Sequence, residues 1–193
     1  RDHNALCDDG TATGNCPSRT AVDLQGAVYV ANRAFGAQGT VTKIAGFPDD
    51  CVDRDGDGEI TTSRDVNGNG LIDFEVEGEF VGQDDECILW TRNVGSLDSV
   101  PRALTVAADG NVWVGLHGES RVIEIDPRDG RELSSVPTPG FDPYGAAIDG
   151  TGRIWFTEAI KGRILAIDAN TKTAGSILTA PRVDPACPGS YGI

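Results

Sequence analysis

The chain has 193 residues with 30 acids against 16 lysines and arginines, a net charge of −14, and 39% hydrophobic residues without a single methionine. That balance repels nucleic acid and anionic membranes alike, and no apolar run is long enough to cross a bilayer as a helix. The surplus is concentrated: residues 49–86 hold 14 of the 30 acids with only Arg54 and Arg64 as bases, so that window carries −12 and the remainder −2. Its partner is expected to be a cation.

Residues 1–17 form an N-terminal segment in which Cys7 and Cys16 are expected to close a small disulfide loop. A repeat begins at residue 18. Val22 to Val30, Val106 to Val114 and Ile148 to Phe156 align as three copies of short strand, glycine turn, short strand; Pro101, Pro143 and Pro185 keep a step of 42 residues, as do Gly110 with Gly152 and Trp113 with Trp155. Apolar and polar residues alternate in Arg121-Val122-Ile123-Glu124-Ile125 and Arg163-Ile164-Leu165-Ala166-Ile167, which favours strands over helices. A strand-built period of this length is the mark of a β-propeller blade, which buries both faces of its sheet only against neighbouring blades. The expected fold is all-β: about three four-stranded blades and the start of a fourth, with a calcium-binding loop insertion. The first blade is expected at 18–47 and 87–99, the second at 100–141, the third at 142–183 and the beginning of another at 184–193. Strands of the third unit are expected at 145–148, 154–157, 162–167 and 174–179. Propellers close with roughly four to eight blades, so the chain reads as a slice of a longer or processed protein, with a ring of several short chains as the alternative.

The first unit is interrupted. Thr40 to Ala45 matches the third strand of the later copies and Cys87 to Thr91 the fourth, so residues 48–86 are an insertion that should leave from the face opposite the second-to-third-strand turns. Inside it run Asp53-Arg54-Asp55-Gly56-Asp57-Gly58-Glu59-Ile60-Thr61 and Asp65-Val66-Asn67-Gly68-Asn69-Gly70-Leu71-Ile72-Asp73. Both place oxygen side chains at positions 1, 3, 5 and 9, glycine at 6 and isoleucine at 8, the opening of an EF-hand calcium loop. A hard cation with six to eight oxygen ligands requires that spacing, with a glycine for the sharp turn and an apolar anchor. Expected ligands are Asp53, Asp55, Asp57, Glu59, Thr61, Asp65, Asn67, Asn69, Leu71, Asp73 and Glu77, with Glu59 and Leu71 offering backbone carbonyls. Position 12 carries Arg64 and Val76 instead of a bidentate acid, and Asp65 and Glu77 fall at position 13. The copies are spaced by 12, so Asp65 could close the first site and open the second, as in the linked calcium loops of thrombospondin type 3 or dockerin-like repeats, which this window resembles.

Cys51 and Cys87 bracket the insertion, where a disulfide would clamp a self-repelling loop and contribute roughly 3 to 4 kcal/mol through chain entropy. Cys187 is left over. Without a Cys-x-x-Cys pair, zinc and haem are not indicated; disulfides and extracellular-type calcium loops point to an extracellular, cell-surface or periplasmic location.

Asp109-Gly110-Asn111-Val112-Trp113-Val114 and Gly152-Arg153-Ile154-Trp155-Phe156-Thr157-Glu158, with Gly162-Arg163-Ile164, resemble the blade repeats of the virginiamycin B (streptogramin B) lyase family over about residues 18–47 and 100–193. The insertion looks more like those of calcium-loop propeller proteins of secreting bacteria, myxobacteria among them. The resemblance implies a seven-bladed ring and, in true lyases, a top-face site of histidines, a glutamate and magnesium that opens a cyclic depsipeptide by elimination. Glu158 matches the glutamate of that motif, but Ile160 stands where the family has histidine, and Pro143-Tyr144-Gly145 replaces Pro-His-Gly. His117 is the only histidine in the blades, a sparse supply for an elimination that needs a base and an acid. His117 and Glu158 are the catalytic candidates; Arg102, Tyr144 and Tyr191 are candidates for a binding funnel at the central top mouth; Trp113 and Trp155 are expected to pack between blades. The sequence thus points to a secreted or cell-surface, calcium-stabilised binding or assembly module, partnered by another protein or by the rest of the propeller, with a lyase-like enzyme as the alternative.

Overall fold

In the computed structural model, residues 16–179 are described. They form three antiparallel sheets in chain order. The first comprises β1 (Cys16–Val22), β2 (Val28–Arg33), β3 (Gln38–Ile44) and β4 (Ile88–Leu97); the second β5 (Pro101–Val106), β6 (Val112–Leu116), β7 (Arg121–Ile125) and β8 (Glu132–Pro137). The third comprises β9 (Gly145–Ile148), β10 (Arg153–Thr157), β11 (Arg163–Asp168) and two short pieces, β12 (Thr173–Ala174) and β13 (Leu178–Thr179). Each sheet is an up-and-down meander, the propeller blade foreseen from the period. The turn glycines of the repeat, Gly26, Gly110 and Gly152, have φ of 91°, 87° and 82°, a left-handed conformation that glycine adopts without steric cost.

The middle sheet is covered on both sides. Val112, Val114 and Leu116 pack with Tyr29, Ala31 and Val41 of the first sheet. Trp113, pointing the other way, packs with Ile154, Phe156, Leu165 and Ile167 of the third. Successive side chains of a strand face opposite sides, so burial on both faces explains why β6 reads Val-Trp-Val-Gly-Leu with no polar alternation. Trp113 is fully buried between blades, and Trp155, on the outer face of the third sheet, is half-buried.

The fourth strand of the third sheet differs from the single strand expected at 174–179. Ala174 pairs with Ile167 and Leu178 with Ile164, which sets three residues opposite two and produces a bulge starting at Gly175. A glycine in an outer strand with no side chain to pack is a common site for such a break.

Residues 45–87 leave the first sheet between β3 and β4 and close again at its edge, where the Ala45 amide donates to the Cys87 carbonyl at 2.8 Å. Gly46 lies so close to the first-sheet turn that a Cβ there would sit 2.2 Å from the Gly26 carbonyl oxygen. The insertion therefore starts from the end of the sheet that carries the β1–β2 turn, away from the β6–β7 turn that holds His117. It contains two short 3-10 turns, Pro48–Asp50 and Gly82–Asp84, and adds no side chain to either hydrophobic cluster. Cys51 and Cys87 are joined by a disulfide across 36 residues. Cys16 is also disulfide-bonded; Cys7 and Cys187 lie outside the described residues.

Candidate functional site

The two Asp/Asn-rich loops of the insertion have the same internal hydrogen bonding. Asp53 accepts the Gly56 amide at 2.6 Å on one oxygen and the Gly58 amide at 2.9 Å on the other. Twelve residues on, Asp65 accepts the Gly68 amide at 2.6 Å and the Gly70 amide at 2.7 Å. Asp55 accepts from Asp57 and Asp57 from Glu59; in the second loop Asn67 accepts from Asn69 and Asn69 from Leu71. These bonds hold the Asp53 carboxyl below its ordinary pKa, the Gly58 amide most of all, and the Gly70 amide does the same for Asp65.

Each loop is completed by a buried glutamate from outside its motif. Glu86, 2% exposed, accepts the amides of Arg54 at 2.5 Å and Asp55 at 3.3 Å on one oxygen and that of Thr61 at 2.8 Å on the other. Glu79, fully buried, accepts those of Val66 at 3.2 Å and Asn67 at 3.1 Å, and that of Asp73 at 2.8 Å. Both therefore bind positions 2, 3 and 9 of their loops. The Thr61 amide, followed by Arg54, lowers the Glu86 pKa. Burial pushes Asp85 up, but the Ser63 amide and hydroxyl outweigh it and hold the group ionised. The Arg54 guanidinium donates to the carbonyls of Asp84, Asp85 and Ile88 and fastens the first loop to the start of β4.

Asp65 accepts its amide bonds from its own loop, and the carboxylate that reaches the first loop from outside its motif is Glu86. Glu77 lies exposed, and the acid brought to the second loop is Glu79. The residues present fit a hard divalent cation at the first loop, where one oxygen each from Asp53, Asp55 and Asp57 lie within 4.8 Å of one another. A carboxylate oxygen that accepts one amide retains a lone pair for a metal. In the second loop Asn67 and Asn69 are neutral donors and Asn69 also donates to Asp73 at 2.8 Å, so its charge for a cation is smaller.

The opposite end of the blades is organised differently. Arg102 and Tyr144, expected to line an open funnel, are only 7% and 8% exposed. The guanidiniums of Arg19 and Arg102 both lie over the Tyr144 ring, 4.9 Å and 4.1 Å from its centre, and the Tyr144 hydroxyl accepts from Arg102. The bulges in β1 after Pro17 and in β5 after Pro101 set these strand starts apart from the regular register. His117 packs edge-on to Tyr144 at 5.9 Å, and its Nδ1 is buried without a hydrogen-bond partner among the described residues. Tyr191 lies outside them. A cleft of about 100 Å³ is lined by His117, Asp142, Glu158, Ala159, Ile160 and Lys161. Burial pushes the Glu158 carboxyl up, but Arg163 and the Asp142 amide at 3.0 Å hold it below the ordinary range. Glu158 is thus ion-paired with Arg163 and Lys161 at the edge of this cleft.

No protein-family model matches the chain. Over 73 residues it is 32% identical to a virginiamycin B lyase of Nocardia farcinica, a segment that covers 38% of this chain and 26% of that protein. Its fold is similar to that of a virginiamycin B lyase from Staphylococcus aureus, with a TM-score of 0.53 at 18% identity over 92% of this chain and 44% of the other. A calcium-binding regucalcin from Agrobacterium tumefaciens is likewise similar, with a TM-score of 0.50 at 12% identity over 86% of this chain and 45% of the other. The chain thus spans about a quarter of the curated lyase and under half of each solved propeller. Among the described residues no helix is long and apolar enough to cross a membrane.

Proposed function

We propose, taking as premise that this chain is a β-propeller segment of virginiamycin B lyase-like fold, that it acts outside the cytoplasm as a calcium-stabilised module for binding or assembly. The observation that carries this reading is the paired loop architecture: two twelve-residue motifs with the same bonds, each backed by a buried glutamate on the same three amides. Asp53, Asp55 and Asp57, with the Glu59 carbonyl, hold the first ion. Asp65, Asn67, Asn69 and Asp73 hold the second, more weakly, since fewer charged ligands mean lower calcium affinity. Converging carboxylates repel one another until a cation neutralises them, so binding orders the lobe. The Cys51–Cys87 disulfide supports an oxidising compartment.

A lyase-like activity at the other end is the second reading, favoured by His117 beside the cleft, whose buried Nδ1 has no partner among the described residues. The two part company in one experiment. For a binding module, calorimetry detects calcium at micromolar to millimolar levels, Asp55→Ala with Asp57→Ala abolishes the stronger site while the blades stay folded, and His117→Ala with Glu158→Gln changes neither. Turnover of a cyclic ester peptide by the intact protein, lost in the His117/Glu158 double variant, reverses the ranking. Absence of any calcium effect on calorimetry and on melting with and without chelator rejects the reading of the loops.

A further inference from the structure

The acidic insertion also carries exposed apolar surface. Phe74 and Phe80 meet edge-to-face with ring centres 4.6 Å apart and remain 57% and 51% exposed. Beside them a cleft of about 470 Å³ is lined by Asp73, Phe74, Glu75 and Val76. Val66, itself more than half exposed, lies against the same turn at Gly78. The surface is built on a fixed backbone, because the buried Glu79 carboxylate between the two phenylalanines in sequence ties the Val66, Asn67 and Asp73 amides together.

We propose that this aromatic face is a docking surface for a cationic segment of another polypeptide, one in which lysines or arginines flank a bulky aliphatic or aromatic side chain. The inference rests on reading the insertion as a binding lobe and names the partner of that lobe. Charge selects the occupant. The window 49–86 carries 14 acids and two bases, −12, and two divalent ions would still leave −8. A second copy of this chain, at −14, would bring like charge to like, and juxtaposed like charges oppose association. An anionic bilayer is repelled for the same reason. A cationic segment is drawn in by the field and held by burial of the two rings, the non-directional contribution that area removed from water supplies. The rigid mount leaves little loop ordering to oppose binding.

The test uses the calcium-loaded protein and a fluorescein-labelled synthetic peptide of alternating lysine and leucine with one tryptophan, followed by anisotropy. Two control peptides accompany it: one with every apolar residue replaced by serine, and one with every lysine replaced by glutamate. Expected are saturable binding of the first peptide, weakening with added salt, a loss of about tenfold or more in affinity in Phe74→Ser with Phe80→Ser, and a similar loss in Glu75→Lys, which leaves the rings in place. Leu24→Ser, at a 95% exposed position on the first blade, should bind as the parent does. Calcium calorimetry separates the two levels: in the parent, calcium binding without peptide binding sinks this inference alone, whereas absence of calcium binding in the parent sinks the reading beneath it, and in the variants calcium binding should be retained. Equal binding of the serine control, unchanged affinity in the Phe74/Phe80 variant, binding to phosphatidylserine vesicles, or self-association abolished by that variant would each overturn the proposal.

Discussion

Replacing Glu79 by Gln changes one oxygen of a fully buried carboxylate into an amide that can no longer accept. The Val66 and Asn67 amides share one oxygen, so rotation of the glutamine carbonyl toward them preserves two bonds and leaves the Asp73 amide, the shortest of the three at 2.8 Å, facing an NH₂ group. A buried donor left without an acceptor costs about 1–3 kcal/mol, equivalent to roughly 5- to 150-fold easier local opening at a tenfold change per 1.4 kcal/mol. Glu79→Ala orphans all three donors, and even at the lower limit that amounts to about 3 kcal/mol. Since no residue of 46–87 belongs to either hydrophobic cluster, the loss should be confined to the insertion. Hydrogen exchange resolves it, because local opening is read amide by amide: exchange should accelerate at Val66, Asn67 and Asp73 while amides of β6 and β7 stay protected. Calcium affinity at the second loop should fall while the first loop, backed by Glu86, keeps its own. Unchanged exchange at those three amides, or an equal loss of protection across the blades, would refute the view of Glu79 as the local organiser.

The repeat also exposes an internal deficit in the second blade. Asp23 and Asp149 accept the side-chain donors of Tyr29 at 3.1 Å and Trp155 at 2.8 Å, whereas the equivalent position is Ala107 and the buried Trp113 Nε1 has no partner among the described residues. Ala107→Asp should therefore raise the melting temperature by about 2–4 °C, as expected for a net gain near 1 kcal/mol in a chain of this size, with Ala107→Asn giving part of it; a lower melting temperature in both variants would contradict the equivalence. Stability should also depend on acid in a defined direction. Burial pushes Asp142 up, but the Ser120 hydroxyl and Lys161 outweigh it, and Glu158, Glu119 and Glu124 are similarly held below 4.5 by hydrogen bonds and ion pairs. Folded-state values below the unfolded ones mean stability that is present above about pH 5 and lost as pH falls through the depressed values. Calorimetry should find a flat melting temperature from about pH 8 to 5.5 and a decline below about pH 4; a rise on acidification would contradict it.

Much of the blade architecture was legible because a 42-residue step fixes proline, glycine and aromatic positions at once, and the insertion announced itself through charge. The buried glutamates were not legible. Glu79 stands 14 residues after Asp65 and Glu86 33 after Asp53, so they share no phase with the motifs they complete. Only the closure of the insertion against β4 brings Glu86 back to the first loop. Motif spacing does not mark either glutamate, because both bind backbone amides and occupy no ligand position of the loops. The mutual burial of Arg102 and Tyr144 was not legible either: they stand 42 residues apart, and only the packing of successive blades lays the guanidinium onto the tyrosine ring.

The root of the insertion is narrow. Cys51 and Cys87 stand 4.4 Å apart at their Cα atoms, near the spacing of neighbouring strands in any antiparallel hairpin, about 4.7–4.9 Å. With Ala45 and Cys87 already paired, the lobe meets its host through a gap that every hairpin loop offers. The geometry is that of a cassette: the segment from Cys51 to Cys87 is expected to fit an unrelated β-hairpin with its cross-link and paired Asp/Asn loops, and the parent blade to re-close through a short turn.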